Sequence, residues 1–407
     1  MSVAGARSSR HTGRWTLEDR FASPWHYLPV EVPPGTTGLR VRLEYDRAGG
    51  AVLDLGCLGP GGFRGWSGSA RGWFVITAEA ATPGYLPGEI EAGTWQVMIG
   101  VHRVPPGGVG FRLTAATARR ARVRPPGPAA PPPQRPPRRD LPAAGGLRWL
   151  AGDLHTHTVH SDGALTIAEL AGLAVARGLD FVAVTDHNTI SHHAGLPAAG
   201  SRYGITLLPG QEVTTDGGHA GVLGDVGWVD FRREPDDWLA ATEAAGGLLS
   251  VNHPFAGPVS WIRPMRRRPP LAEVWHPSWL DLRWTTPLAW WLAWDAAATP
   301  VGGSDFHRPG SDAPPGRPTT WVRCAGSDVA DVLAGLRAGR VAISADRDGP
   351  VLLRQDGELI AVDADGTTLA GPDGPCARVR GDLAGLGGAP GPHRLLDARG
   401  ATLALTA

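Results

Sequence analysis

The sequence predicts a mixed α/β protein, with a central region of alternating strands and helices flanked by β-rich modules. Three observations carry this. Strand-like apolar runs alternate with helical stretches from Leu147 to Ile343. Residues 1–118 show short alternating runs punctuated by Gly and Pro. Ten of the 14 His fall between His155 and His307, where even spreading would put about five.

Residues 1–118 read as an antiparallel β-sandwich. Leu39–Tyr45, Ala51–Leu55, Gly72–Thr77 and Thr94–Gly100 are its strand candidates, separated by turns such as Gly49-Gly50 and Pro60-Gly61-Gly62. Residues 119–146 read as a linker: nine Pro lie between Pro125 and Pro142, and seven Arg between Arg119 and Arg139. Such a stretch favours polyproline II and is expected to be a solvated spacer. Residues 147–345 hold the alternating region. Its strands are placed at Leu147–Leu154, Phe181–Thr185, Thr206–Leu208, Ala220–Leu223, Leu248–Val251, Ala272–Trp275, Pro300–Gly303 and Thr320–Arg323. Helices are expected over Thr166–Arg177, Pro235–Ala245 and Asp328–Ala338. The first has a capping box in Thr166 and Glu169, with Gly178 to end it. This alternation argues a parallel α/β sheet or barrel. Residues 346–407 return to short apolar runs with Asp-Gly turns, a small β appendage.

Composition excludes several classes. Basic and acidic residues cancel at 39 each, which gives no reason to expect a nucleic-acid or membrane partner. Three distant Cys make neither a disulfide framework nor a thiolate metal knuckle. No signal-length or membrane-spanning apolar run appears, so a cytoplasmic protein is expected. Lys is absent, which rules out a P-loop lysine.

Potential ligands sit where strands end: His155-Thr-His157, Asp186-His-Asn188, Gly210-Gln-Glu212, Asn252-His-Pro254 and Ser304-Asp-Phe-His307. The chain has only two Asn, Asn188 and Asn252, and each adjoins one of these His. In a parallel α/β barrel all strand C-termini face one mouth, where active sites lie. His-x-His places two imidazoles on one face of an extended strand. Imidazole with carboxylate suits Zn²⁺, Mn²⁺ or Fe²⁺.

Asp153-Leu-His-Thr-His-Thr158 with Ser161-Asp-Gly163, then Thr185-Asp-His-Asn188, Gly210-Gln-Glu-Val213, Asn252-His-Pro254 and Gly303-Ser-Asp-Phe-His307 resemble the motifs of the PHP (polymerase and histidinol phosphatase) superfamily. The resemblance covers roughly half the chain, about 147–345. Glu212-Val-Thr-Thr with Gly218-His219, Glu273-Val-Trp275 and a preceding β module look more specifically like its CehA/McbA-type branch. The resemblance implies a distorted (β/α)7 TIM-like barrel binding two or three divalent ions (Mn, Zn or Fe). It assigns His155, His157, Glu212 and Asp305 to a first ion. Glu212 bridges to a second, held with His253 and His219; Gly221, on the same strand face, is the alternative to His219. His187 and His307 match a third site, with Asp162 beside them. Asp153 and Asn188 are expected to orient imidazoles, and Asn252 to do so for His253.

The expected activity is metal-dependent hydrolysis of a small phosphomonoester or phosphodiester by a metal-bridging hydroxide. His276 is the candidate proton donor, and Arg308 and Arg263 are candidate phosphate contacts. One alternative is a carboxyl- or carbamate-ester hydrolase on the same centre. The non-enzymatic alternative is a degenerate barrel whose N-terminal module binds a carbohydrate or polymer. His160, His192 and His193 match no motif position and are expected to be solvated loop residues. The Trp residues from Trp275 to Trp294 are expected to pack.

Overall fold

The computed structural model describes residues 8–118, 123, 127–388 and 390–407. Of the Pro/Arg-rich stretch, residues 119–122 and 124–126 lie outside the described residues. The chain divides into two compact units.

The first unit holds two four-stranded antiparallel sheets. One runs Ser8–Trp15, Val109–Ala118, Gly38–Tyr45, Trp73–Thr77; the other Trp25–Val32, Gly93–Arg103, Val52–Gly59, Gly62–Gly68. The alternation Leu39-Arg-Val-Arg-Leu produces one buried face, because strand side chains alternate with period two. Val41, Leu53, Trp95 and Leu113 from both sheets share one core, which makes this a sandwich. The unit also contains residues 159–162 and 186–192. Arg71 ties the first of these loops: its guanidinium donates to Val159 O at 2.7 Å and also to Pro83 O. Gly84 ties the second, donating its N–H to Ser191 Oγ at 3.0 Å and accepting from Thr189 Oγ1 at 2.9 Å. Gly84 has φ +97°, and a Cβ there would meet Trp66 O at 2.7 Å and His160 O at 2.9 Å, so only glycine fits.

The second unit is mixed α/β. Its main sheet has 13 strands. The order begins Thr299–Gly302, Leu271–Trp275, Leu248–Asn252, Gly218–Leu223, Thr206–Thr215, Phe181–Val184, Arg148–Asp153, Thr319–Cys324. It continues through Val341–Ser344 into four C-terminal strands, so much of the chain after residue 346 extends this sheet. Not every pair is parallel, as the strand–helix alternation suggested. Gly218–Leu223 runs antiparallel to both its neighbours, and Thr319–Cys324 to Arg148–Asp153. For the pair Thr206–Thr215 and Gly218–Leu223 the reason is connection length: Asp216-Gly217 makes a tight hairpin, which only antiparallel strands can share. Gly302 N–H donates to Thr320 Oγ1 at 2.9 Å, which brings the edge strand Thr299–Gly302 against Thr319–Cys324.

Helix Ile167–Ala176 starts at the expected capping box, with Thr166 Oγ1 accepting from Glu169 N–H and Glu169 returning the bond. Such a cap is worth about 1 kcal/mol. Its Leu170, Ala171, Ala174 and Val175 face Val182, Val184 and Leu207 of the sheet in one core. Helices Pro235–Ala244 and Val329–Arg337 also lie where expected. Two others escape the pattern, Leu196–Tyr203 and Thr286–Asp295. Pro287 falls in the first turn of the latter, where no N–H is missed.

The described part of the linker has no helix or strand and is largely exposed, and three of its Arg tie it to the second unit. Arg138 Nε lies 3.0 Å from the buried Asp180 carboxylate, with Arg135 at 3.8 Å, and Arg139 engages Asp363 and two backbone carbonyls. A buried carboxylate needs such partners. No helix among the described residues is long and apolar enough to cross a membrane.

Candidate metal centre

Backbone pairing sets the strand ends of the second unit side by side. His157 N–H donates to Phe306 O, Thr185 N–H to Thr156 O and Glu212 N–H to Thr185 O, at 2.9, 2.9 and 3.0 Å. Asp153 is the buried clamp: it accepts from the backbone N–H of His155, Ser304 and Gly316 at 3.0, 3.1 and 2.7 Å. It therefore holds backbone, where an imidazole partner was expected. His253 and Asp305 have positive φ, 25° and 50°, a strained conformation that clusters at functional sites.

The side chains so placed converge. His155, His157, Glu212 and Asp305 each offer a ligand atom within 4.8 Å of the others, a set that fits a metal ion. His155 Nε2 is 3.1 Å from Glu212 Oε1 and 3.2 Å from Asp305 Oδ1; His157 Nε2 is 3.0 Å from Asp305 Oδ1 and 3.6 Å from Glu212 Oε2. On Glu212 Oε1 also close His253 Nε2 at 3.1 Å and His219 Nδ1 at 3.3 Å. The hairpin explains His219: its strand begins at the mouth and runs back away from it, so a strand start supplies the ligand. A side chain at the alternative position, Gly221, would press on Asn252 Oδ1 at 2.9 Å. Two buried ring nitrogens, His155 Nε2 and His253 Nδ1, make no hydrogen bond, which suits nitrogens shaped for ions.

Asn252 Nδ2 donates to Glu212 Oε1 at 3.0 Å, so it orients Glu212 where His253 was expected. Glu273, which the sequence marks only as part of Glu273-Val-Trp275, takes a role that the sequence did not assign to it. Its Oε1 lies 3.0 Å from His155 Nδ1, and its Oε2 accepts from His253 N–H at 2.7 Å. The available signal was an acid inside the apolar strand Leu271–Trp275. His307 stacks on His157 at 4.1 Å and joins Asp305 O through Nδ1 at 2.7 Å. His276 receives the Ser278 N–H on Nδ1 at 3.0 Å, which places a neutral ring's proton on Nε2, 3.3 Å from Asp305 Oδ2.

In the first unit, His187 Nε2 and Asp162 Oδ1 lie 3.5 Å apart. His192 is fully buried there, 3.2 Å from Asp186 Oδ2, and His160 bonds Ser191 Oγ at 2.7 Å. His193, in the second unit, reaches Gly210 O at 2.9 Å. None of the three is a solvated loop residue, because nearby carboxylate, hydroxyl and carbonyl groups hold each ring. Arg263 pairs with Glu234 at 2.9 Å and lies over the Trp238 ring, and Arg308 N–H donates to Asp312.

Burial opposes protonation of His155, but Glu212, Asp305 and Glu273 outweigh it and hold its pKa well above the ordinary imidazole value. Burial likewise opposes ionisation of Asp305, yet His155, His157 and His276 hold it well below the usual carboxylate range. The metal-free fold thus gains stability from protonated His155. That gain is complete below the ordinary imidazole pKa and is lost as pH rises through the raised folded value. Asp305 contributes above the ordinary carboxylate pKa and loses its contribution only at far lower pH. Metal needs neutral rings, so its stabilisation grows with pH. Melting temperatures with chelator and with Mn²⁺ or Zn²⁺ should therefore diverge as pH rises above the ordinary imidazole range, the chelated curve falling. Parallel curves would contradict a shared proton and metal site.

Comparison with known proteins agrees with the cluster. Residues 153–249 match the PHP domain model. A 5′-3′ exoribonuclease of Haemophilus influenzae is 39% identical over 64 residues, 16% of this chain and 23% of the relative. A 3′,5′-nucleoside bisphosphate phosphatase of Chromobacterium violaceum is 44% identical over 66 residues, again 16% and 23%. The chain spans about a quarter of the length of these curated relatives. A solved two-domain Bacteroides vulgatus protein containing a predicted PHP-like metal-dependent phosphoesterase is 16% identical, over 69% of this chain and 99% of that one, with a TM-score of 0.42. The residues that match the PHP domain model include His155, His157, Glu212 and His219 of the cluster.

Proposed function

We propose that the protein is a metal-dependent phosphoesterase, with the main sheet curled into a distorted (β/α)7 barrel of the CehA/McbA-type branch. The observation that carries the reading is the Glu212 carboxylate, which has ring nitrogens of His155, His157, His219 and His253 within 3.6 Å. One carboxylate among four imidazoles, with Asp305 alongside, is a donor set for two divalent ions. His155, His157 and Asp305 would hold one, His253 and His219 the other, and Glu212 both. Asp162, His187 and His307 stay assigned to a third ion by the resemblance. Bound divalent ions would polarise a phosphoryl group and acidify water. Asp153, Asn252 and Glu273 fix the ligands beforehand, so little reorganisation is left for the reaction. His276 presents its Nε2–H beside Asp305, where it can donate to a leaving oxygen. The relatives are named for a nucleoside bisphosphate and for RNA cleavage, both phosphoester chemistry, which supports this substrate class over a carboxyl ester.

The test is metal analysis followed by a panel of phosphomonoesters, phosphodiesters and carboxyl esters. At least two divalent ions per chain and turnover of a phosphoester are expected. Less than one equivalent after Mn²⁺ or Zn²⁺ supplementation would sink the reading, and turnover of carboxyl esters alone would replace it with the alternative.

A further inference from the structure

In the first unit, the sheet of Ser8–Trp15, Val109–Ala118, Gly38–Tyr45 and Trp73–Thr77 turns one face into the sandwich core. Its other face carries charge almost entirely of one sign. The outward positions hold five exposed arginines: Arg10 and Arg14 on the first strand, Arg112 on the second, Arg40 and Arg42 on the third. Register brings them together. Arg10, Thr114, Arg42 and Trp73 form one row across the four strands, with Arg40 in the row on one side and Arg112 in the row on the other. With neighbouring strands about 4.8 Å apart, the row spans about 14 Å. Glu44 is the one acid at these outward positions, and it pairs with Arg42 at 3.1 Å. Among the described residues Arg10, Arg14, Arg40 and Arg112 make no ion pair. Trp73 ends the row with its side chain 53% exposed. Like charges on adjacent strands repel, so the fold gains nothing from this clustering. The other sheet differs: strand Trp25–Val32 exposes Tyr27, Pro29 and Glu31, with no cation among them. The balance of 39 basic and 39 acidic residues conceals such a face, because net charge is a sum and binding depends on distribution.

We propose that this face binds single-stranded nucleic acid, with phosphates on the arginines and a base on Trp73. Charge complementarity calls for a polyanion, and each guanidinium fork fits two phosphate oxygens. The indole opposite Arg42 selects among polyanions. Its flat face takes an unstacked base, and guanidinium planes stack on bases as well. Polyphosphate has no ring to offer. A duplex fits poorly, since its major groove admits a helix or a two-stranded ribbon and this is a four-stranded face. The contacts are to phosphates and base faces, so binding tolerates sequence. No residue of the His/Asp/Glu cluster takes part, and the proposal stands apart from the phosphoesterase reading.

The experiment is fluorescence anisotropy of the full chain with labelled oligoadenylate of about 15 nucleotides, in chelator so that nothing is cleaved. Wild type should bind with a Kd on the order of micromolar at low salt. The logarithm of its affinity should fall against that of salt with a slope of about −3, from four unpaired arginines at about 0.7 each. Arg10→Ala, Arg40→Ala and Arg112→Ala together should flatten the slope by about 2 and weaken binding about 100-fold. These side chains are exposed, so their loss should spare the fold. Arg233→Ala, Arg267→Ala and Arg283→Ala together remove the same charge from exposed places on the second unit and should leave affinity and slope near wild type. Trp73→Ala should weaken the oligonucleotide about tenfold and leave polyphosphate binding, read by competition, unchanged. No binding by wild type, or an equal loss in the second-unit control, overturns the proposal. So does an oligonucleotide affinity indifferent to Trp73→Ala, which would assign the face to a polyanion without rings. Should the triple variant fail to fold, Trp73→Ala and the wild-type slope still decide: a slope shallower than about −1 also overturns it.

Discussion

Glu212→Gln is expected to lower turnover of the best phosphoester by about 10³-fold and to release one bound ion. The substitution keeps size and removes charge. Glu212 is fully buried, and its oxygens lie within 3.6 Å of four ring nitrogens. A terminal ligand serves one ion, and water can stand in for it. A carboxylate between two ions also sets their spacing, and without its charge two cations face each other with less neutralisation. His187→Ala should cost less if the proposed third site only assists. Metal stoichiometry and kcat/KM of both variants decide. If Glu212→Gln keeps both ions and near-normal turnover while His187→Ala abolishes it, the bridging role is wrong.

Glu273→Gln should weaken metal binding by about 10- to 100-fold while kcat at saturating metal largely recovers. The carboxylate keeps a proton on His155 Nδ1 and so leaves Nε2, which faces Glu212 and Asp305, with its lone pair. It also caps His253 N–H. A Gln amide has one oxygen for two donors. If its NH₂ turns to His155 Nδ1, the ring proton moves to Nε2 and blocks the ligand position. If it turns to His253, two donors oppose each other in a buried place. Chelator competition measures affinity, and a metal titration of kcat separates positioning from chemistry. Unaltered affinity would show that His155 needs no partner to present Nε2.

Much of this cluster was legible because most of its side chains follow strand ends, which are marked by apolar runs breaking into His, Asp and Asn. His155, His157, His253, Asp305 and His307 follow such breaks, whereas Glu212 lies inside the strand Thr206–Thr215. The return strand was harder. Asp216-Gly217 between apolar runs is a hairpin signal, but attention to strand–helix alternation hid it, and with it the antiparallel neighbours. Glu273 is marked in the sequence only by its motif, because the partners that give it a role, His155 and His253, are distant in sequence. His192 looked like loop because its partner, Asp186, was counted only as part of a motif. The partners of the linker arginines, Asp180 and the Arg347 and Gly349 carbonyls, are distant in sequence, so composition alone does not reveal them.

The loops 159–162 and 186–192 belong with the sandwich, although each comes within a few residues after a strand of the second unit. The chain therefore crosses between its units repeatedly, and the sandwich is not a bead that recombination could exchange at residue 128. Any replacement would have to bring its own donor for Val159 O and its own glycine against Thr189 and Ser191. Asp162 and His187 ride on those two loops, so changes in the sandwich bear on them as directly as changes in the strands that precede them. In descent, the β module and the loop residues would have to drift together, as one inherited piece threaded through another.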